Sequence, residues 1–285
     1  MVNAILLLCV VVGLTVQSVS RKSYGVKCHG GVFTFSAASA LFALLVFFVT
    51  SSGKIEFTPS IISYSVLFAI SYVSATVFAF LSIKEGSISL SSLVIQYSLI
   101  VPTVFGFAVW GEQFTAGVAI GIALLLVSLA LINYKSGRDN NTITLKWLVF
   151  VAIAFLSNGI CSTVQKAQQM SSGGLYKNEF MILALSISFI VTAAIALVTE
   201  RADIKNNIKH GVLSYSACGI ANGLVNFLVL VLSIRMDASV MFPIISAGGI
   251  VATYLVSLFV YKEKMTLHQT IGMFIGIVSI VVLNL

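Results

Sequence analysis

Residues Phe114–Tyr134 read FTAGVAIGIALLLVSLALINY, twenty-one residues without a charged side chain. A helix that crosses the hydrocarbon of a bilayer needs about 20 mostly apolar residues, because lipid cannot satisfy its backbone hydrogen bonds. This segment therefore predicts a transmembrane helix. The segment Leu267–Leu285, LHQTIGMFIGIVSIVVLNL, has the same character at the other end of the sequence.

The composition of the whole chain agrees with these two segments. Of its 285 residues, 59% are hydrophobic and only 9% are charged, and the mean hydropathy is +1.07, whereas soluble domains carry about 25% charged residues. The formal charge of +7 comes from 16 Lys and Arg against 9 Asp and Glu. Because the cations sit singly between apolar runs, we assign them to loops facing anionic lipid and expect the bilayer, not nucleic acid, as their partner.

Ten apolar runs of spanning length can be marked, which predicts an all-α integral membrane protein with ten transmembrane helices. We interpret the first run as a retained helix, since no positive segment precedes it as in a signal peptide. The ten runs are Val2–Ser20, Val32–Ser52, Ile61–Ile83, Ser87–Trp110, Phe114–Tyr134, Leu145–Ala167, Phe180–Val198, Val212–Ile234, Ala238–Tyr261 and Leu267–Leu285.

The two halves of the chain resemble each other. Shifting the first half by 151 residues places Glu112 on Glu263, Gly121 on Gly272 and Ser128 on Ser279, without a gap. The hydrophilic stretch Lys135–Thr142 separates the halves, so we predict repeats at residues 1–135 and 143–285. Five helices per repeat is an odd number, so the second repeat enters the membrane from the opposite side. Such inverted repeats are typical of carriers that alternate between two conformations.

The distribution of cations predicts the orientation. Loops after odd-numbered helices hold twelve Lys and Arg residues and the remaining loops hold four. By the positive-inside rule both termini then lie outside.

The junctions before the fifth and tenth helices carry a family resemblance. Gly111-Glu112-Gln113-Phe114-Thr115 and the segment from Lys262-Glu263 through Thr266 to Gly272 are similar to the G-E-x-x-T/S…G junction of the drug/metabolite transporter superfamily. Ten helices in two inverted halves resemble its EamA-like branch. The resemblance implies that the first four helices of each half surround a central cavity, with the fifth and tenth at the periphery.

Polar uncharged side chains inside the spans are the candidates for lining a cargo site. A buried amide in lipid is costly unless it is paired, so it faces another helix or a wet cavity. Gln17 and Gln165 are the strongest candidates, because they occupy corresponding positions on the first helix of each half at a shift of 148 residues. Interhelical bonding without cargo is the alternative for each residue. The candidates are Gln17, Tyr72, Gln96, Asn158, Gln165, Asn222, Asn226 and Tyr254.

Four further residues are assigned structural roles. Glu112 and Glu263 end the fourth and ninth spans, where an acid stabilises the N-terminus of the next helix. Pro102 and Pro243 lack N–H groups and are candidate hinges, although Pro243 also fits a first-turn proline. The GxxxG spacings, among them Gly117–Gly121 and Gly219–Gly223, allow close packing within the chain.

Charge within the spans bears on the cargo. We expect Lys166 and Arg235 to lie near helix ends, with side chains long enough to reach the interface, so the middle of every span is uncharged. This pattern favours a neutral, zwitterionic or hydrogen-bonding cargo over a simple lipophilic cation.

We therefore expect a secondary transporter that moves a small metabolite or drug-like molecule by alternating access. The alternatives are a membrane-embedded enzyme and a channel or scaffold without carrier activity. No nucleophile–base pair or metal motif stands in the spans, so we expect no catalytic residues, cofactor or metal. Candidate partners are the substrate, a coupling ion and the lipid bilayer of a plasma or inner membrane, for a monomer or homodimer.

Overall fold

The computed structural model describes residues 2–28, 31–51, 56, 58–85, 94–95, 97–132, 144–259 and 267–283. Within these ranges the chain is helical and contains no strand. Tyr97–Leu99 form a 3₁₀ turn directly before α4. The helices are α1 Val2–Lys27, α2 Val32–Thr50, α3 Pro59–Glu85, α4 Ile100–Ala108, α5 Ala116–Ile132, α6 Leu145–Ser171, α7 Lys177–Thr199, α8 Ile204–Ser233, α9 Ala238–Phe259 and α10 Leu267–Leu283.

Six helices of the described ranges are long and apolar enough to cross a membrane: α1, α2, α3, α6, α7 and α8. The apolar parts of α4, α5, α9 and α10 are shorter. Each apolar run found in the sequence overlaps one of these described helices, while ten membrane spans stay a prediction. An all-helical, multi-pass membrane protein is therefore the architecture of the described residues.

The surface of these helices is more apolar than a water-soluble protein would allow. Leu8, Ile190 and Leu213 each expose more than 60% of their surface, while Gln165 and Gln169 are buried. A soluble protein rarely exposes contiguous apolar surface of this kind. Lipid is the solvent for which this distribution is favourable.

Several helix ends differ from the sequence prediction. α1 continues to Lys27 where Ser20 was expected, α6 continues to Ser171, and α8 begins at Ile204. The apolar run measures only the part of a helix in hydrocarbon, and polar turns at either end cost little in the aqueous interface. Of the fourth run, the structure describes the nine-residue helix α4 and the 3₁₀ turn before it, and residues 86–93 and 96 lie outside the described residues.

The described residues form two compact units, each drawn from both halves of the chain. Unit 1 comprises residues 1–77 and 164–234, and unit 2 comprises residues 78–163 and 235–285. These units are defined by which residues pack together, whereas repeats are defined by sequence similarity along the chain. The division into repeats at 1–135 and 143–285 therefore stays a prediction.

In unit 1, α2 and α7 lie antiparallel and are joined at both ends. Asn178 at the start of α7 donates to the carbonyl of Thr50 at the end of α2 (3.0 Å). At the other end, Glu200 accepts from the backbone N–H groups of Phe33 and Thr34, both at 2.9 Å. The carboxylate thereby caps the N-terminus of α2, where free N–H groups and the helix dipole favour a negative charge.

In unit 2, α5 and α10 contact each other through a reciprocal pair of hydrogen bonds. Ser128 donates to the carbonyl of Gly272 (2.6 Å), and Ser279 donates to the carbonyl of Gly121 (2.8 Å). These four residues are the ones that the shift of 151 residues superimposes. Exchanging the two helices therefore turns each hydrogen bond into the other. Because the earlier residue of α5 pairs with the later residue of α10, the helices run antiparallel.

We expect Ser128→Ala and Ser279→Ala to destabilise the protein by nearly equal amounts, about 1 kcal/mol each, because each removes one buried interhelical hydrogen bond. Unfolding in mixed detergent micelles measures this. Ser188→Ala is the control, since the Ser188 hydroxyl bonds the carbonyl of Ala184 within its own helix. Strongly unequal losses would show that the two bonds are not equivalent.

Candidate functional site

Four of the predicted site residues form one continuous chain of side-chain amides within unit 1. Gln165 on α6 donates to Asn226 Oδ1 (2.6 Å). Asn226 Nδ2 donates to Asn222 Oδ1 (3.0 Å) one turn away on α8. Asn222 Nδ2 then donates to Gln17 Oε1 on α1 (3.1 Å). Three helices thus bring their amides together, and we call Gln17, Asn222, Asn226 and Gln165 the amide chain.

The orientation of every amide in this chain follows from one backbone group. Asn226 Nδ2 also lies 2.8 Å from the carbonyl oxygen of Asn222, and a carbonyl only accepts, so this atom must be the nitrogen. Asn226 therefore turns its oxygen toward Gln165, which donates. Asn222 turns its oxygen toward Asn226 and its nitrogen toward Gln17, whose oxygen accepts. The hydrogen bonds all point in one direction, from Gln165 to Gln17.

The amide chain ends on an unused donor. Gln17 is buried with 4% of its surface exposed, and its Nε2 has no hydrogen-bond partner among the described residues. A buried donor left without an acceptor costs about 1–3 kcal/mol. Because bonds in a chain polarise one another, the terminal N–H groups are also stronger donors than an isolated amide.

The remaining predicted site residues are not part of this chain as described. Tyr72 lies on α3, where its ring stacks on Phe68 with centroids 5.7 Å apart. Asn158 belongs to unit 2, where it donates to the Ser98 hydroxyl at 2.6 Å. Gln96 and Glu263 lie outside the described residues, as does the side chain of Tyr254.

Glu112 caps the N-terminus of α9, which is not the next helix in sequence. Its carboxylate accepts from the N–H groups of Ala238 (2.7 Å) and Ser239 (2.8 Å) at the start of α9. The carboxylate fits beneath Gly106, where any larger side chain would collide with it. The expectation that Glu112 stabilises the next helix in sequence stays a prediction, while the two described bonds of its carboxylate go to α9 through tertiary packing.

We expect Glu112→Ala and Glu200→Ala each to destabilise the protein by about 2 kcal/mol, since each leaves two helix N–H groups without a charged acceptor. Detergent or thermal unfolding measures this loss. Glu85→Ala is the matched control. It breaks the ion pair between Glu85 and the exposed Lys146 (2.6 Å), which contributes about 0–1 kcal/mol. Equal losses in all three variants would contradict the capping roles.

Both prolines lie within described helices. Pro102 lies in the first turn of α4, directly after the 3₁₀ turn, and it provides no N–H for the carbonyl of Ser98 four residues earlier. Pro243 is the sixth residue of α9 and lies inside the helix, so the first-turn interpretation of Pro243 is wrong. A hinge role for either proline stays a prediction.

Lys166 also differs from expectation. Because α6 runs to Ser171, Lys166 lies more than one turn inside the helix, and only 2% of its surface is exposed. Its side chain therefore does not reach the interface. The expectation that Lys166 lies near a helix end with its side chain at the interface is therefore not met in the described part of α6.

Gln168 and Gln169 were missed by the sequence analysis, although both are almost fully buried. They follow Gln165 at helical spacings of three and four residues, which places them near its face of α6. Ending the sixth span at Ala167 excluded them. The periodicity of the three glutamines was the available signal.

Comparison with known proteins adds the fold alone. No family model matches the chain, and no curated protein matches it. The fold is similar to that of a solved structure described only as "Crystal structure of protein", with a TM-score of 0.79 and 13% identity. The match covers 98% of this chain and 95% of that chain.

Proposed function

We propose that the chain is a secondary transporter that moves a small hydrogen-bonding metabolite or drug-like molecule across a plasma or inner membrane by alternating access. The observation that carries this proposal is the amide chain, which ends on the unpaired donor of Gln17. If these amides served only to hold the helices together, each buried donor would be expected to have an acceptor. In a carrier, a buried donor without a partner in the protein is available to bind the cargo.

The direction of the amide chain defines the cargo further. The free end offers N–H donors, so the cargo should present a carbonyl, carboxylate or ether oxygen. The four amides of the chain are uncharged, so the cargo should be neutral, zwitterionic or hydrogen-bonding and not a simple lipophilic cation. In this proposal, the gradient of a coupling ion would set only the direction in which the cargo is transported.

Ten spans arranged as two inverted repeats form the second part of the proposal. It is supported by two antiparallel pairs of corresponding helices, α2 with α7 in unit 1 and α5 with α10 in unit 2. If corresponding helices of two repeats run antiparallel, the repeats are inverted. The reciprocal bonds of Ser128 and Ser279 are what an exchange of repeats would produce.

Labelling of introduced cysteines tests this topology. In a background without the four native cysteines, Ser51→Cys and Gly173→Cys should react from the same side of the membrane, because an even number of spans would separate them. Arg201→Cys should react from the other side. Ser51 and Gly173 on opposite sides would exclude the proposed arrangement.

Transport itself needs a separate test. The purified chain is screened by thermal shift against amino acids, sugars, nucleotides and quaternary amines, because a ligand that binds the folded state raises its apparent stability. The strongest stabiliser is then assayed in proteoliposomes. Saturable uptake that accelerates when the vesicles are preloaded with unlabelled compound supports a carrier. Flux that does not saturate would instead favour a channel.

A further inference from the structure

A polar cavity lies at one end of unit 1, and none of its lining residues belongs to the amide chain. Its volume is about 290 Å³, close to the lower limit of about 300 Å³ for small-molecule sites. The walls come from the start of α3, the end of α6 and the turn between α6 and α7. The polar lining residues that matter below are Thr58, Ser60, Tyr64, Gln168, Ser172 and Tyr176.

The turn that forms one wall is held in a fixed shape. The carbonyl of Leu175 accepts from the hydroxyl of Ser172 (2.8 Å) and from the amide nitrogens of Gln168 and Gln169, both at 3.4 Å. Tyr176 has φ 58° and ψ 24°, a left-handed conformation that non-glycine residues rarely adopt. Strained backbone of this kind concentrates at ligand-binding sites.

The side-chain oxygen of Gln169 is a buried acceptor without a donor among the described residues. Because both glutamine nitrogens face Leu175, the oxygen of Gln169 must point elsewhere, and it has no hydrogen-bond partner among the described residues. Gln169 is fully buried and also donates to Gln168 Oε1, which belongs to the cavity wall. The polar layer behind the cavity therefore has unsatisfied hydrogen-bonding capacity.

The described lining of the cavity presents hydroxyl groups and no charged side chain. In the described part of the chain, neither the Tyr64 nor the Tyr176 hydroxyl makes a hydrogen bond. Thr58 and Ser60 share one bond at 3.0 Å and keep free lone pairs. Each hydroxyl can both donate and accept, and the two tyrosine rings add apolar faces.

We infer that this cavity binds an uncharged, polyhydroxylated group of about one sugar ring. Hydroxyls that donate and accept complement a ligand built of hydroxyls, and tyrosine rings suit the C–H faces of a sugar or cyclitol. A phosphate or carboxylate would need a cation in the lining, and none of the described lining residues has one. This inference does not depend on whether the chain transports anything.

Two sources could supply this chemistry, since the cavity lies where apolar helices end and the aqueous interface begins. One is a free sugar or cyclitol in solution, and the other is the headgroup of a lipid such as phosphatidylinositol. The experiment below distinguishes the two sources by measuring binding of a soluble sugar or cyclitol and retention of a lipid separately.

The full chain is purified in an amine-oxide detergent, whose headgroup carries no sugar. Saturation-transfer NMR then measures binding of myo-inositol and methyl β-D-glucopyranoside, while native mass spectrometry measures retention of phosphatidylinositol against phosphatidic acid. We expect saturable binding in at least one arm. Tyr64→Phe and Tyr176→Phe should each weaken that binding at least about fivefold, the value of one hydrogen bond.

Ser63→Ala is the matched control, because Ser63 is exposed on α3, bonds its own helix at Pro59 and does not line the cavity. It should bind as the native chain does. Tyr64→Phe removes a hydroxyl without a partner, so its thermal unfolding should be unchanged and loss of binding cannot reflect misfolding. Retention of phosphatidic acid equal to that of phosphatidylinositol, binding unaffected by both tyrosine variants, or no binding in either arm would overturn the inference.

Discussion

Replacing Gln17 by Leu is expected to abolish cargo binding while leaving the empty protein as stable as before, or slightly more stable. The substitution removes the buried Nε2 donor and its desolvation cost of about 1–3 kcal/mol. The lost acceptor matters less, because Asn222 is only half-buried and water can replace Gln17 Oε1. A stability gain combined with a loss of function is typical of a residue kept for binding.

Gln17→Glu separates the donor from the shape of the side chain. Its first oxygen can still accept from Asn222, but an acceptor now stands where the Nε2 donor was. A cargo oxygen would face this carboxylate, so we expect binding to fall by roughly 100-fold, equivalent to about 2.7 kcal/mol. Ser18→Ala is the control on the next residue, since the Ser18 hydroxyl bonds Leu14 within α1.

Asn226→Leu should behave in the opposite way. It removes the central member of the amide chain and leaves the nitrogen of the buried Gln165 without an acceptor, so we expect a destabilisation of about 2 kcal/mol. Thermal unfolding of the purified variants and counterflow of the compound found in the screen measure both properties. If Gln17→Leu unfolds like Asn226→Leu and transport survives in Gln17→Glu, the amide chain is interhelical bonding alone.

The sequence predicted the existence of the helices well because lipid leaves few alternatives. A backbone without water must bond to itself, and a described helix overlaps each apolar run. That Gln17 and Gln165 would each bond to another amide was also predictable, since amides in hydrocarbon must pair. The positions of Asn222 and Asn226 one turn apart on α8 indicated a shared face.

What the sequence could not provide depends on tertiary contact. Glu112 finds its partners at Ala238 and Ser239, and Glu200 reaches α2, although both acids stand in turns that offer nearer helix N-termini in sequence. The turn around Leu175 depends on the arrangement of several donors about one carbonyl, which has no compositional signature. Lys166 was misplaced because the end of an apolar run is not the end of a helix.

Gly219→Ala should be among the most destabilising single-methyl changes in unit 1. A Cβ at this position would collide with the carbonyl oxygen of Ser39 on α2 and lie 2.6 Å from Phe42 Cβ. The carbonyl belongs to helix backbone and cannot turn aside, so α8 must move away from α2. Overpacking of this kind costs about 1–3 kcal/mol, partly offset by the better helix propensity of alanine.

The comparison that makes this prediction specific is Gly117→Ala on α5, also the first glycine of a GxxxG spacing. There the added Cβ would lie 3.7 Å from the carbonyl of Val282, an ordinary contact, so only the gain in helix propensity of up to about 1 kcal/mol applies. We expect the midpoint of detergent unfolding to fall for Gly219→Ala and to hold or rise for Gly117→Ala. If the unfolding midpoint falls equally for both variants, the presence of the GxxxG motif, and not the short distance between α2 and α8, determines the loss of stability. The close packing of unit 1, which holds the amide chain on α8 against α1 and α6, would then need another explanation.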